Sequence, residues 1–179
     1  QAIAYSHSRR VIHRDIKPSN VMVGKFGETV VLDWGLAKVK DKKDEHASQI
    51  EETLKTLRLP AAAAGHETHA GQVLGTPTYM PPEQAAGQID RIDERSDVYS
   101  LGAVLYTLLT GKYPYDGENA SDTLNKVLVG PPKPLLEVEP NAPPELAAIC
   151  ERAMQRDAEK RYKDAKDLAE DIIRFQTGA

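Results

Sequence analysis

The chain holds a single cysteine, Cys150, in 179 residues, so no disulfide can form within it. Aromatic residues are sparse, at 6%. Long apolar runs are missing as well. The longest, around Val98 to Leu109, falls well short of the roughly 20 residues a membrane-spanning helix needs. This segment is therefore expected to make no membrane contact. No secretory leader is visible near Gln1. Nor is there an excess of positive charge. Lys and Arg number 23 against 27 Asp and Glu, a net charge of −4, which argues against a nucleic-acid partner. What is present is ordinary for one globular domain with a real core: 40% hydrophobic and 28% charged residues. Cys150 shares helical spacing with Leu146, Ile149, Ala153 and Met154, which predicts a buried core thiol rather than a reactive one.

The pattern along the chain is mainly α. Residues 1–8 read as the end of a helix. Val21–Val23 and Val30–Leu32 are β-branched runs around Gly24 and Gly27, which predicts a small antiparallel hairpin. Pairing Val23 with Val30 and Val21 with Leu32 would put Asn20 and Asp33 at the same open end. Residues 38–74 lack a core periodicity, and their charge run, Lys38 to Asp44, reads as surface. Within them Ser48 and Glu51 make a capping-box pattern. Ile50, Leu54 and Leu57 share one helical face before Pro60. A short helix and a mobile surface loop both fit this stretch.

Residues 95–110 give the clearest helix. Val98, Leu101, Val104, Leu105, Leu108 and Leu109 spread round most of its circumference, and Gly111 ends it. That pattern predicts a buried central helix. Prolines crowd residues 112–144 and leave room for one short helix near Ser121–Val129. Residues 145–155 and 164–176 read as amphipathic helices, the second with Ala165, Leu168, Ala169 and Ile172 on one face.

The chemistry is concentrated in two motifs. His13 to Asn20 read HRDIKPSN, and Asp33-Trp34-Gly35 begins thirteen residues beyond Asn20. Asp15 can accept a proton from a hydroxyl. Lys17 can neutralise charge on a phosphoryl group in transfer. Asn20 and Asp33 offer oxygen atoms to a hard cation. Alone, His-Arg-Asp is usually surface decoration and Asp-Trp-Gly a turn. In this order and spacing they describe a phosphoryl-transfer site, whose task is positioning and charge neutralisation.

Together the motifs resemble the catalytic loop (13–20) and the magnesium-binding element of eukaryotic-type Ser/Thr protein kinases. The resemblance continues through Gly75 to Glu83, with Pro81-Pro82-Glu83 where the family has Ala-Pro-Glu. It includes Ser96 to Gly102 at the start of a central helix, and Asp157 to Arg161. The style of residues 82–85 and 108–115 is similar to bacterial members. It implies ATP with Mg²⁺ (or Mn²⁺) as cofactors, proteins with Ser or Thr acceptors as substrates, and a cytoplasmic catalytic domain, with room for a membrane anchor elsewhere in the full-length protein. Lys17, where tyrosine kinases typically have Ala-Ala-Arg, implies a Ser or Thr acceptor.

The resemblance also assigns roles. Asp15 is the base, and Lys17, Asn20 and Asp33 hold cofactor and metal. Thr76 bridges Asp15 and Lys17. Asp97 supports the catalytic loop by accepting its backbone N–H groups. Glu83 pairs with Arg161. Arg14 binds a phosphate in a long activation segment, 33–83, whose candidate autophosphorylation site is Thr68. Trp34 stands where the family has Phe.

Nothing before His13 reads as a Gly-rich phosphate loop. The expectation is therefore a C-terminal lobe, with the helical subdomain at 95–176, separated from its N-terminal lobe. Such a lobe should be inactive alone and should expose the apolar surface that would face its partner lobe. A non-catalytic scaffold, a pseudokinase lobe that only binds partners, is the alternative.

Overall fold

The computed structural model describes residues 1–58 and 77–178. In chain order the elements are α1 (Ala2–Ser8), β1 (Val11–Ile12), β2 (Val21–Val23), β3 (Thr29–Val31), β4 (Lys38–Val39) and α2 (Ala47–Arg58). After the undescribed stretch come α3 (Pro82–Ala85), α4 (Glu94–Thr110), α5 (Ala120–Val129), α6 (Leu135–Val138), α7 (Pro144–Ala153) and α8 (Ala165–Thr177). The fold is mainly helical and compatible with a protein-kinase fold.

Helix α4 is the axis. Asp93 caps it by accepting from the Arg95 N–H, and Ser96 returns a bond to the Asp93 N–H. This reciprocal arrangement satisfies donors the helix start leaves free. Gly111 closes the far end in the left-handed conformation. Helices α7 and α8 pack along α4. Gly102 explains how closely α7 approaches. A Cβ there would lie 2.8 Å from both the Ala153 Cβ and the Met154 Cγ. The Cys150 Sγ also donates to the Gly102 carbonyl at 3.3 Å. Cys150 is buried in the core, and burial pushes its thiol up to about 12. The core-thiol reading therefore holds.

The apolar reading of α4 needs correction. Val98, Tyr99, Ala103 and Tyr106 are buried, Leu101, Val104, Leu105 and Leu109 are half-buried, and Leu108 is 75% exposed. The buried face is instead built partly from Ser96, Asp97 and Ser100, polar residues that bond across to neighbouring loops.

The hairpin register also differs by one residue. Val21 pairs with Val31, Met22 with Val30 and Val23 with Thr29. The turn decides this. The Gly24 N–H donates to the Glu28 carbonyl at 2.7 Å, and Gly27 takes φ +84°. That is a three-residue loop ending in a left-handed glycine, which sets the register. The Leu32 N–H donates to the Asn20 carbonyl at 2.8 Å, which brings the backbone next to Asp33 to the same open end as Asn20.

A second two-stranded sheet joins β1 and β4, pairing Val11 with Val39 and Ile12 with Lys38. It was not legible as a hairpin because its strands have two residues each and lie far apart in sequence. Of the two readings for the stretch after it, the helix is found. Ile50, Leu54 and Leu57 of α2 are buried in the main core, and α2 packs against α5. Ser48 lies inside its first turn instead of capping it; the Ile50 N–H already bonds the His46 carbonyl. The hairpin carries a cluster of exposed apolar side chains: Met22, Val23, Phe26 and Val30, with Leu32 and Trp34 following.

Candidate active site

The loop from His13 to Asn20 leaves β1 and is fixed from beneath. Asp97, buried in the first turn of α4, accepts from the His13 N–H at 2.8 Å and the Arg14 N–H at 2.9 Å. It also accepts from His7 Nε2 at 2.9 Å. His7 Nδ1 accepts the Ala165 N–H at the start of α8, at 3.1 Å, so the ring proton sits on Nε2 and points at Asp97. Helices α1, α4 and α8 thus meet at one carboxylate under the loop. His7 was missed by sequence reasoning, since a lone His at a helix end carries no signal of its own.

His13 is fully buried. Its Nδ1 accepts the Asp15 N–H at 3.2 Å, and its Nε2 donates to the Leu32 carbonyl at 3.0 Å. It therefore holds the 13–20 loop against the strand leading to Asp33. The Trp34 ring packs on it at 4.5 Å and 58°, and the Trp34 Nε1 donates to the Val31 carbonyl at 3.0 Å. Ile16 points the other way, into a small core with Ile3 and Ala165.

The alternation leaves Asp15 and Lys17 at the open face. The Lys17 Nζ lies 2.9 Å from the Asp15 Oδ2, with both side chains partly exposed. The Asn20 Nδ2 donates to the Asp15 carbonyl at 2.8 Å and to its Oδ2 at 3.2 Å. That fixes the amide so that its Oδ1 is the atom left to offer. Asp33 is exposed, with φ +55°, and its Oδ1 accepts the Gly35 N–H at 3.4 Å. Arg14 takes φ +69°. Arg14, next to Asp15 in the chain, and Asp33 thus both hold a backbone that non-glycine residues rarely adopt, the kind of strain that clusters at functional sites.

Among the described residues no group of three or more His, Cys, Asp or Glu could hold a metal by itself. The donor types of Asn20 and Asp33, an amide oxygen and a carboxylate, are ones magnesium accepts. That ion keeps several waters and takes one or two protein oxygens together with substrate phosphates.

Arg14 is buried, and its guanidinium meets Asp44. Gln84 reaches the same residue: its Nε2 donates to the Arg14 carbonyl at 3.1 Å, while its Oε1 is buried without a partner. Neither Asp44 nor Gln84 stood out in the sequence. Thr76 and Thr68 lie outside the described residues.

Glu83 and Arg161 form a two-pronged pair at 2.8 and 3.0 Å, both side chains buried. All five guanidinium donors are used, the others reaching the carbonyls of Arg95, Gln155 and Arg156. Glu83 also accepts from the Ser96 Oγ at 2.7 Å. Burial pushes the Glu83 carboxyl up. The Arg161 hydrogen bond and charge, with Ser96, outweigh that and hold it below the usual glutamate range.

The model of the protein kinase domain matches residues 1–173. The chain belongs to the protein kinase family. Its similar relatives include the serine/threonine-protein kinase PknD of Protochlamydia amoebophila, 37% identical over 99% of this chain and 18% of that protein. PknD of Chlamydia caviae is 34% identical over 99% of the chain and 18% of its own length. The serine/threonine-protein kinase PknB of Mycolicibacterium smegmatis is 34% identical over 99% of the chain and 25% of its own length. This kinase chain therefore spans about a quarter or less of the curated relatives it matches. The matched stretch spans both the loop 13–20 with Asp33 and the later segments that carry Asp97 and Arg161.

Proposed function

We propose that the full-length protein is a serine/threonine protein kinase that uses ATP and Mg²⁺, and that this chain supplies its catalytic loop and helical C-terminal lobe. The observation that carries the reading is the Asp15–Lys17–Asn20 cluster. Three polar side chains converge within hydrogen-bonding distance on an open face, on a loop held from beneath by Asp97.

In this reading Asp15 orients a protein Ser or Thr hydroxyl and accepts its proton as the oxygen becomes a nucleophile. Lys17, already beside the Asp15 carboxylate, neutralises charge on the phosphoryl group in transfer. The Asn20 Oδ1 and the Asp33 carboxylate hold magnesium, and Thr76 completes the Asp15–Lys17 bridge. Bound magnesium supplies charge neutralisation between the phosphates of ATP. Asp97 holds the loop still, and Glu83 with Arg161 fixes the end of the activation segment (33–83) to the helices. Autophosphorylation of that segment, with Thr68 as acceptor, is part of the reading. So are an N-terminal lobe that covers the exposed hairpin and the inactivity of this chain without it. A cytoplasmic site of action follows from the same family reading.

The test is phosphate transfer from radiolabelled ATP with Mg²⁺ to a generic protein substrate. The full-length protein is compared with its Asp15→Asn variant. Transfer lost in the variant supports the reading. No transfer by either folded protein would mean a non-catalytic scaffold.

A further inference from the structure

The charge run between β4 and α2 contains one carboxylate that is not solvated surface. The Asp44 Oδ2 lies 2.5 Å from the Arg14 Nη1, and its Oδ1 lies 3.0 Å from the Nη2. The remaining edge of the guanidinium is used too, the Nε donating to the Leu36 carbonyl at 2.6 Å. The Arg14 side chain is fully buried and that of Asp44 is 12% exposed. Lys38 stands 3.8 Å away, as a second cation. The Oδ1 also accepts the His46 N–H at 3.1 Å, immediately before α2 begins. A two-pronged pair of this kind fixes geometry as well as charge. Burial works against the Asp44 charge, but Arg14, His46 and Lys38 together keep the carboxyl below its usual value.

Arg14 immediately precedes Asp15. Its backbone is in the left-handed region, which a non-glycine residue keeps only when the surroundings over-determine it. Three restraints do so. Asp97 takes its N–H, Gln84 takes its carbonyl, and Asp44 with Leu36 takes its side chain. Asp97 and Gln84 tie the residue to α4 and α3. Asp44 adds a tie, through the His46 N–H, to the start of helix α2, whose Ile50, Leu54 and Leu57 are locked in the core.

We propose that Asp44 is a positioning residue for phosphoryl transfer: through the Arg14 guanidinium it holds the strained peptide that aims Asp15 and ties α2 to the catalytic loop. It does so with a resident carboxylate, and a phosphate reaching Arg14 would have to displace it. The activity arm of the test rests on the kinase reading above.

The experiment uses the full-length protein with Asp44→Ala and Asp44→Asn, measuring kcat, the KM for ATP, and hydrogen exchange over residues 10–20 and 36–58. Small misplacements of a reacting group cost up to about 100-fold in rate. The expected result is a fall of that order in kcat with the KM for ATP within about twofold, because Lys17, Asn20 and Asp33 are untouched. Exchange in both segments should speed up. Formate should restore part of the kcat of Asp44→Ala by entering the vacated site beside Arg14. Sodium chloride at equal ionic strength should not, and formate should leave Asp44→Asn unchanged because its amide fills the space.

If both variants retain wild-type kcat and exchange, the proposal is overturned and the pair is incidental. If activity falls only with general loss of protection and no rescue, Asp44 is a folding contact and the positioning role is overturned. If the wild type itself transfers no phosphate, the kinase reading fails. Exchange in residues 10–20 then decides alone, loosening supporting the tie and wild-type protection overturning it.

Discussion

Two acid–base pairs of nearly equal length face opposite fates in this molecule. Glu83–Arg161 and Asp15–Lys17 close at 2.8 and 2.9 Å. The first is buried, and every guanidinium proton has an acceptor. The second is partly exposed, and the Asp15 carboxylate and Lys17 ammonium keep unused bonding capacity toward the open face. A saturated pair holds structure in place, because nothing is left for a ligand. An unsaturated pair on a rigid base is available for chemistry.

This contrast predicts effects of different kinds. On the proposed kinase reading, Asp15→Asn in the full-length protein should abolish most of the transfer, by about 10²–10⁴-fold in kcat, while thermal unfolding of the variant stays near wild type. Joint loss of activity and stability would show that Asp15 belongs with the saturated kind. Arg161→Ala should do the reverse first. It strands a buried Glu83 carboxylate and should cost about 3–5 kcal/mol of stability, read as a lowered denaturant midpoint. A loss under about 1 kcal/mol would place the pair with surface bridges.

The acid side sharpens the same point. The folded-state value of Glu83 lies below the ordinary glutamate value of 4.5. Its contribution is therefore fully present above that ordinary value and is lost as pH falls through the depressed one. Glu83→Gln should flatten this acid limb of the stability curve, and an unchanged limb would remove Glu83 as its source. Gly102→Ala should cost about 1–3 kcal/mol by overpacking α4 against α7, measured by the same unfolding. Leu108→Ser, on the exposed face of α4, should stay within about 0.5 kcal/mol.

The readable parts of the sequence were those where chemistry and spacing coincide. His13 to Asn20 with Asp33, and the periodic helices α4, α7 and α8, needed nothing but the order of residues. The hairpin register escaped by one position because a turn, not the β-branched runs, set it: Gly27 in the left-handed region leaves three residues in the loop. Leu108 was assigned to the core by its side chain, yet α4 buries Ser96, Asp97 and Ser100 in preference, since those groups find partners in the loops it supports. Asp44 looked like one charge among several from Lys38 onward. Only the fold brings it to Arg14, thirty residues back in the chain. His7 was hidden for the same reason, its partners Asp97 and Ala165 being remote in sequence.

Cys150 gives this chain a gauge. Its thiol is sealed between α4 and α7 and pushed up to about 12, so almost none of it is thiolate at neutral pH and no reagent can reach it in the closed state. Modification must wait until the two helices part. The speed at which an alkylating reagent marks this sulfur therefore reports what fraction of the time the centre of the molecule stands open.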